Sequence, residues 1–154
     1  MPIDNNYYIS EEVLSDLANS FGDFCVEKAF ALFGKKKTIR SFSEITGCSS
    51  EISISIDFEY LNNVVEENYK KGLLFLGIAH SHPKDGTLLL SQEDKVFFKD
   101  FMQKNDDFNH LLFPVICKIN NNIVFKWYLF SKNDYSEIEV KLLTNKNELG
   151  KKLN

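Results

Sequence analysis

Cysteine is scarce in this 154-residue sequence: only Cys25, Cys48 and Cys117 occur, and no two are spaced as C-x-x-C. An odd and scattered set of cysteines gives no support for a disulfide framework or an all-cysteine zinc site. Long apolar runs are also missing, since the longest, Leu73–Ala79, is far too short to cross a bilayer. The first six residues have neither the basic flank nor the apolar segment of a signal peptide. These absences predict a reduced, cytoplasmic protein with no membrane partner.

The sequence has no excess of positive charge. It contains 18 Lys and Arg and 22 Asp and Glu, which gives a formal net charge of −4. A chain of this charge generates no global field that attracts DNA or RNA, so no nucleic-acid partner is expected. A hydrophobic content of 44% argues against disorder, and no repeat or flexible linker divides the chain. We therefore expect residues 1–154 to form a single domain.

Three segments have the pattern of amphipathic helices that begin at a capping residue. Apolar residues recur in each at the helical period, after a side chain that can accept a hydrogen bond from the first turn. The predicted helices start at Ser10, at Asp57 with an end near Tyr69 and Gly72, and at Ser91 with an end near Lys104.

Several other segments have the alternation or the continuous apolar character of strands. The predicted strands are Thr38–Ile45, Ile52–Ile56, Leu73–Ala79, Leu111–Ile119, Ile123–Phe130 and Ile138–Leu143, with a hairpin turn at Asn120–Asn122. Val26–Phe33 is ambiguous, because several of its residues are good helix formers. The order of elements predicts an α/β or α+β fold in which helices sandwich a mixed β-sheet.

The residues with the clearest chemistry follow the strand at Leu73–Ala79. His80 and His82 alternate along that strand, so both imidazoles are expected on the side of Leu74, Leu76 and Ile78. Pro83 then ends the strand, because it has no N–H for a ladder hydrogen bond.

Asp94 lies one turn into the following helix, on the stripe of Phe97, Phe98 and Phe101. A carboxylate on a core-facing stripe is costly unless a cation meets it. Two histidines and one aspartate form a common ligand set for catalytic zinc, with one coordination position left for water. The sequence therefore predicts a zinc site at His80, His82 and Asp94.

Other interpretations of these residues stay open. Ser91 and Asp94 fit a helix capping box, a role that is compatible with metal binding. His110 has no ligand-spaced partner and is expected to be structural or exposed, and Lys35–Lys37 is expected to form a solvated turn.

His80-Ser81-His82-Pro83 followed by Ser91-x-x-Asp94 resembles the JAMM motif of the JAB/MPN metalloproteases. The segment Glu27–Gly34 is similar to the family's early strand, with the glutamate and the final glycine correctly spaced. The resemblance favours a strand for Val26–Phe33 and implies a cytidine-deaminase-like MPN fold. The loop between His82 and Ser91 has eight residues, one more than is usual, and Asp85-Gly86 can absorb the extra residue as a turn.

The resemblance also implies roles for these residues. His80, His82 and Asp94 would bind Zn²⁺, Glu27 would be the general base, and Ser91 would donate a hydrogen bond to the oxyanion. The family's substrates imply a deubiquitinase-like isopeptidase that removes a ubiquitin-like protein from lysine or trims its C-terminus. Bacterial relatives suggest E1-like and E2-like partners encoded nearby, some of them in antiphage systems. Two alternatives stay open: a JAMM hydrolase that acts on sulfur carriers or small adducts, and a non-catalytic MPN interaction module.

Overall fold

The computed structural model describes residues 6–22, 24, 26–46 and 56–143. Three helices and nine strands lie in these ranges. The helices are α1 (Glu11–Ser20), α2 (Phe58–Lys70) and α3 (Gln92–Lys104). The strands are β1 (Tyr7–Ser10), β2 (Ala29–Lys35), β3 (Thr38–Glu44), β4 (Leu74–Ser81), β5 (Leu111–Leu112), β6 (Val115–Ile119), β7 (Asn122–Phe130), β8 (Tyr135–Ile138) and β9 (Val140–Leu143).

Side-chain caps begin all three helices, as the sequence predicts. The side chains of Ser10, Asp57 and Ser91 accept hydrogen bonds from backbone N–H groups in the first turns, at 3.1, 3.0 and 3.0 Å. Each bond satisfies a donor that has no partner within its own helix. The predicted starts of the helices are therefore confirmed.

The strands form a single mixed sheet in the order β5-β7-β6-β4-β2-β3-β1-β9, with β8 paired to β7. Only Glu139 separates β8 from β9, although these strands lie at opposite ends of the pairing path. Neighbouring strands lie about 4.8 Å apart, so one residue joins the two ends only if the sheet is strongly curved. The prediction of a single strand at Ile138–Leu143 is thus wrong. Within this segment the chain stops pairing with β7 and begins to pair with β1.

Apolar residues pack on both faces of the sheet. On one face α2 and α3 contribute Leu61, Phe98 and Met102 to a core cluster, and on the other face α1 contributes Leu17 to a second cluster. Helices on both faces of a mixed sheet confirm the predicted fold class. Among the described residues, no helix has the length and apolarity needed to cross a membrane.

Strand β4 lies inside the sheet, between β2 on one side and β5 and β6 on the other. The strand expected at Leu111–Ile119 is broken at Phe113 and Pro114, where β5 ends and β6 has not begun. The backbone N–H of Phe113 donates to the carbonyl of Tyr128, and the carbonyl of Pro114 accepts from the N–H of His80. At the break, the carbonyl of Pro114 therefore binds the end of β4 that carries the histidines, while the N–H of Phe113 binds β7.

A bulge in β4 corrects one prediction about side-chain direction. Phe33 pairs with Phe75 while Leu32 pairs with Gly77, so one extra residue, Leu76, interrupts the alternation. Leu76 packs in the cluster on the α1 face, whereas Ile78 lies in the cluster of α2 and α3. Ile78 therefore shares the face of His80 as expected, but Leu76 does not.

Two glycines allow close backbone contacts around β4. A Cβ at Gly77, whose φ is +153°, would lie 1.8 Å from the carbonyl oxygen of Leu112 in β5. A Cβ at Gly34 would lie 1.8 Å from the carbonyl oxygen of Thr38. Gly34 is the final glycine of the motif-like segment and lies in β2, at the bulge in its pairing with β3, where the close backbone of β3 leaves no room for a side chain.

The expected strand Ile52–Ile56 lies outside the described residues except for Ile56, which forms an isolated bridge with Thr46. The Asn120–Asn122 hairpin is confirmed: Asn120 and Asn121 both have positive φ, and Asn122 begins β7. Lys36 and Lys37 also have positive φ and form the expected turn, between β2 and β3.

Candidate metal centre and active site

His80 and His82 lie at the carboxyl end of β4 and are both buried. Their ring centroids are 5.0 Å apart. The ring of His80 also lies 5.2 Å from that of Phe98 in α3, so the histidines face the helix that carries Asp94. The strand alternation that brings them together was correctly predicted.

Asp94 projects from the first turn of α3 towards both imidazoles. Its Oδ2 atom lies 3.0 Å from Nε2 of His82 and 3.4 Å from Nε2 of His80. One ligand atom from each of the three residues lies within 4.8 Å of those of the other two. The structure thus brings together the three predicted metal ligands in a buried group.

The capping box and the candidate metal site share the same carboxylate. The backbone N–H of Ser91 donates to Oδ2 of Asp94 at 3.0 Å, and the N–H of Asp94 donates to Oγ of Ser91 at 3.0 Å. The two interpretations that the sequence left open are therefore compatible in the structure.

A backbone carbonyl orients His82. Its Nδ1 atom lies 2.7 Å from the carbonyl oxygen of Thr87, which can only accept a hydrogen bond. Nδ1 therefore carries the proton, and the lone pair of Nε2 faces the site shared with Asp94. Histidines that bind metals commonly donate their second ring N–H to an acceptor of this kind.

His80 supplies the test of whether a metal fits. Both of its ring nitrogens are buried, and neither has a hydrogen-bond partner among the described residues. A buried polar group without a partner costs about 1–3 kcal/mol. A divalent metal would satisfy one of these nitrogens, and two imidazole nitrogens with a carboxylate oxygen are a donor set suited to zinc. The residues present therefore fit a metal.

Burial and proximity move the pKa values of the three side chains in different directions. Burial lowers the pKa of His80, against the opposing effect of Asp94. Burial also acts to lower the pKa of His82, but Asp94 and the Thr87 carbonyl outweigh it and raise that pKa. Burial alone would raise the pKa of Asp94, yet its close approach to the imidazoles of His80 and His82 holds that pKa well below its usual range. Asp94 is therefore a carboxylate at neutral pH.

Extending the strand register beyond the start of β2 puts Glu27 opposite His82. Ala29 pairs with His80, so in an antiparallel ladder Lys28 lies opposite Ser81 and Glu27 opposite His82. Ser81 continues the pairing past the end of β2: its N–H donates to the carbonyl of Lys28, and its Oγ accepts from the N–H of Lys28 at 2.9 Å. Residues directly opposite each other share a face of the sheet.

The expected strand at Val26–Phe33 is only partly correct, because β2 begins at Ala29 and Glu27 precedes it. Partial burial raises the pKa of Glu27, an effect opposed by His82 and reinforced by Asp94 and Glu93. The charges of His82 and Asp94 therefore both act on the carboxyl group of Glu27. A raised pKa brings a carboxylate closer to the range useful for proton transfer at neutral pH.

Ser91 adjoins the candidate metal site, because its backbone N–H donates to Asp94. Its Oγ accepts from the N–H of Asp94, which leaves the hydroxyl proton of Ser91 available to another acceptor. Its side chain is exposed, so this proton is accessible from solvent.

Sequence reasoning gave no role to Ser81, Thr87 or Tyr128. Ser81 stands between the two histidines and was the one of these that motif spacing could have suggested. Thr87 acts through its carbonyl, which every residue type has, so the sequence carries no pattern for it. His110 is half-buried and lies outside the group of metal-ligating side chains.

The eight-residue loop after His82 contains the expected turn. Asp85 has a φ of +58°, and the N–H of Gly86 donates to the carbonyl of Pro83 at 2.9 Å. The turn accommodates the extra residue while Asp94 stays within contact of both histidines.

No protein-family profile and no curated protein matches the sequence. Solved structures do match the fold. The solution structure of protein DSY2949 from Desulfitobacterium hafniense superposes with a TM-score of 0.70 at 18% identity, over 90% of this chain and 94% of that one. The crystal structure of AF2198, a JAB1/MPN domain protein from Archaeoglobus fulgidus, gives a TM-score of 0.54 at 18% identity, over 89% of this chain and 99% of that one. The chain therefore has a JAB1/MPN-type fold, with a buried His-x-His and Asp group that could hold a metal ion.

Proposed function

We propose that the protein is a zinc-dependent hydrolase that cleaves the isopeptide or peptide bond at the C-terminus of a ubiquitin-like protein. The observation that carries the proposal is the convergence of His80, His82 and Asp94, whose ligand atoms lie within 4.8 Å of one another. The JAB1/MPN-type fold supports the reaction class.

A zinc ion held by these three side chains would supply Lewis acidity towards a carbonyl oxygen and towards water. Glu27 is opposite His82 when the register is extended past Ala29 and Lys28, and there its carboxylate would accept a proton from the attacking water. The water oxygen then bonds to the carbonyl carbon, and Glu27 delivers the proton to the nitrogen as the C–N bond breaks. A lysine amine or a peptide amine leaves.

Ser91 can stabilise the negative charge that develops on the substrate oxygen. Its hydroxyl proton is not used in the helix cap, so it can be donated outward. One such hydrogen bond is worth about 3 kcal/mol in the transition state of acyl transfer.

The partnerless imidazole of His80 argues against the alternative of a non-catalytic interaction module. Burying a ring that forms no hydrogen bond with any described residue costs folding free energy. A purely structural role for His80 supplies nothing that offsets this cost. Metal binding supplies the missing partner.

The test uses ubiquitin-like proteins joined through a C-terminal glycine to a lysine-containing peptide, and the same proteins with a C-terminal extension. We expect cleavage of the C-terminal bond by the protein, loss of cleavage with a chelator, and recovery with zinc. Glu27→Gln should abolish cleavage and retain the metal. The matched control is Glu93→Gln, because Glu93 is an exposed neighbour of Glu27 with no contact to the histidines. Cleavage that persists in Glu27→Gln or in the presence of the chelator would overturn the proposal.

A further inference from the structure

The first half of the loop between His82 and Ser91 is held by β6, through the hydrogen bond from the N–H of Asp85 to the carbonyl of Lys118. The second half, residues 87–90, receives a side-chain hydrogen bond from one tyrosine of β7. We propose that Tyr128 is a positioning residue for the metal ligand His82 and acts through the backbone carbonyls of Leu88 and Thr87. This inference rests on the metal site of the proposed function. It assigns a role to a residue 46 positions away in sequence from the ligand that it would orient.

His82 contacts the loop through a ring nitrogen. Nδ1 of His82 lies 2.7 Å from the carbonyl oxygen of Thr87, and this bond fixes both the tautomer and the direction of the ring. The position of Nε2, the ring nitrogen that faces Asp94, thus depends on the position of the Thr87 carbonyl. Thr87 itself is exposed, so packing around its side chain does not hold that carbonyl in place.

A side chain of β7 supports this part of the loop. The hydroxyl of Tyr128 donates a hydrogen bond of 3.0 Å to the carbonyl of Leu88, the peptide group next to that of Thr87. A further hydrogen bond lies within the loop itself, from the N–H of Leu89 to Oγ1 of Thr87. Within the described parts of the chain, two side chains from outside the loop form hydrogen bonds with residues 87–90. They are those of His82 and Tyr128.

Tyr128 is held firmly in the sheet. It is buried in the middle of the sheet, opposite Glu137 of β8, and its carbonyl accepts from the N–H of Phe113. Neighbours on both sides hold its backbone, so the phenol hydroxyl is a fixed donor. Strand β7 thus fixes the position of the loop, and the loop fixes the orientation of the ligand His82.

Tyr128 also lines a cavity of about 570 Å³ between the loop, α3, β7 and β8. Tyr135 lines the same cavity, is partly exposed, and makes no hydrogen bond through its hydroxyl to a described residue. The two tyrosine rings lie 6.3 Å apart. Tyr135→Phe is therefore a matched control, which removes the same atom from the same cavity without touching the loop.

The test measures metal binding and needs no substrate. Metal-free wild type, Tyr128→Phe and Tyr135→Phe are titrated with cobalt, whose visible absorption reports the coordination geometry, and with zinc in competition with a chromophoric chelator. We expect Tyr128→Phe to bind zinc about 10-fold more weakly or worse, as is typical when the partner of a metal-bound histidine is lost. Its cobalt spectrum should differ from that of the wild type. Tyr135→Phe should match the wild type in both measurements.

Thermal unfolding of the three metal-free proteins checks that each is folded, since Tyr128→Phe keeps the aromatic ring. Wild-type affinity and an unchanged cobalt spectrum in Tyr128→Phe would overturn the inference and leave the proposed function intact. Failure of the wild type to bind either metal would overturn the proposed function itself. An equal loss of affinity in Tyr135→Phe would also contradict the inference, because it would assign the effect to the cavity and not to the loop.

Discussion

Asp94 and His82 meet through a single oxygen atom: Oδ2 of the aspartate lies 3.0 Å from Nε2 of the imidazole. The same oxygen accepts the backbone N–H of Ser91 and so completes the capping box of α3. The start of the helix and the metal site are therefore one structural unit, in which folding of the first helical turn places a ligand.

Asp94→Asn should separate the two roles of this side chain. The amide oxygen of asparagine can still accept from Ser91, so the cap and the fold are retained, whereas the charge that balances a divalent cation is lost. We expect zinc affinity to fall by about 100-fold or more, with a loss of unfolding free energy near or below 1 kcal/mol. Zinc competition and chemical denaturation of the metal-free protein measure the two effects. Asp100→Asn, an exposed change on the same helix, is the control and should leave affinity unchanged.

Zinc should stabilise the folded chain, because the three ligands converge only in the native state. At zinc concentrations about 100 times Kd, the stabilisation is about 2.7 kcal/mol, which raises Tm by about 5–10 °C for a domain of this size. Differential scanning fluorimetry with zinc and then with excess chelator measures the shift. His80→Ala should lose it, whereas His110→Ala should keep it. An equal shift in His80→Ala would mean that zinc binds elsewhere.

Metal uptake should weaken as the pH falls through the neutral range. A proton and a metal compete for the same lone pair, and the pKa of His82 in the metal-free protein is raised above 6.5. Competition therefore begins at a higher pH than at an ordinary histidine and is removed as the pH rises above that raised pKa. Zinc affinities measured between about pH 6 and 8 should increase steadily. A flat profile over this interval would contradict the assignment of His82 as a ligand.

Gly77→Ala should strongly destabilise the strand that carries the histidines. The new Cβ would collide with the backbone oxygen of Leu112 at 1.8 Å, and neither strand can move without breaking the sheet. We expect a loss of about 3 kcal/mol or more of unfolding free energy. Gly72→Ala is the comparison: its φ is also positive, but its nearest neighbour is a lysine side chain at 3.7 Å. That change should cost only about 1 kcal/mol, and equal losses in urea denaturation would refute the steric argument.

The parts of the fold that the sequence predicted correctly depend on local chemistry. Ser10, Asp57 and Ser91 cap helices through bonds that span three residues, and the alternation of His80 and His82 depends only on the strand period. The approach of Asp94 to the histidines also followed from local pattern, because its helical stripe faces the core.

The features that were not predicted depend on contacts between distant segments. The bulge at Leu76 occurs where β4 meets β2 and β5, and alternation alone cannot reveal it. The bond from Tyr128 to Leu88 spans 40 positions, and the carbonyl of Thr87 acts whatever its side chain is. The division between β8 and β9 at Glu139 likewise depends on the curvature of the whole sheet, which brings its two edges together.

Metal content combined with X-ray absorption at the zinc edge tests the central claim most directly. For protein purified without chelator, we predict about one zinc per chain, with two imidazole nitrogens and further oxygen ligands at about 2.0–2.1 Å. His80→Ala and Asp94→Ala should contain little or no zinc. Protein that is folded but free of metal after exposure to zinc, or zinc that is bound through sulfur, would contradict the account.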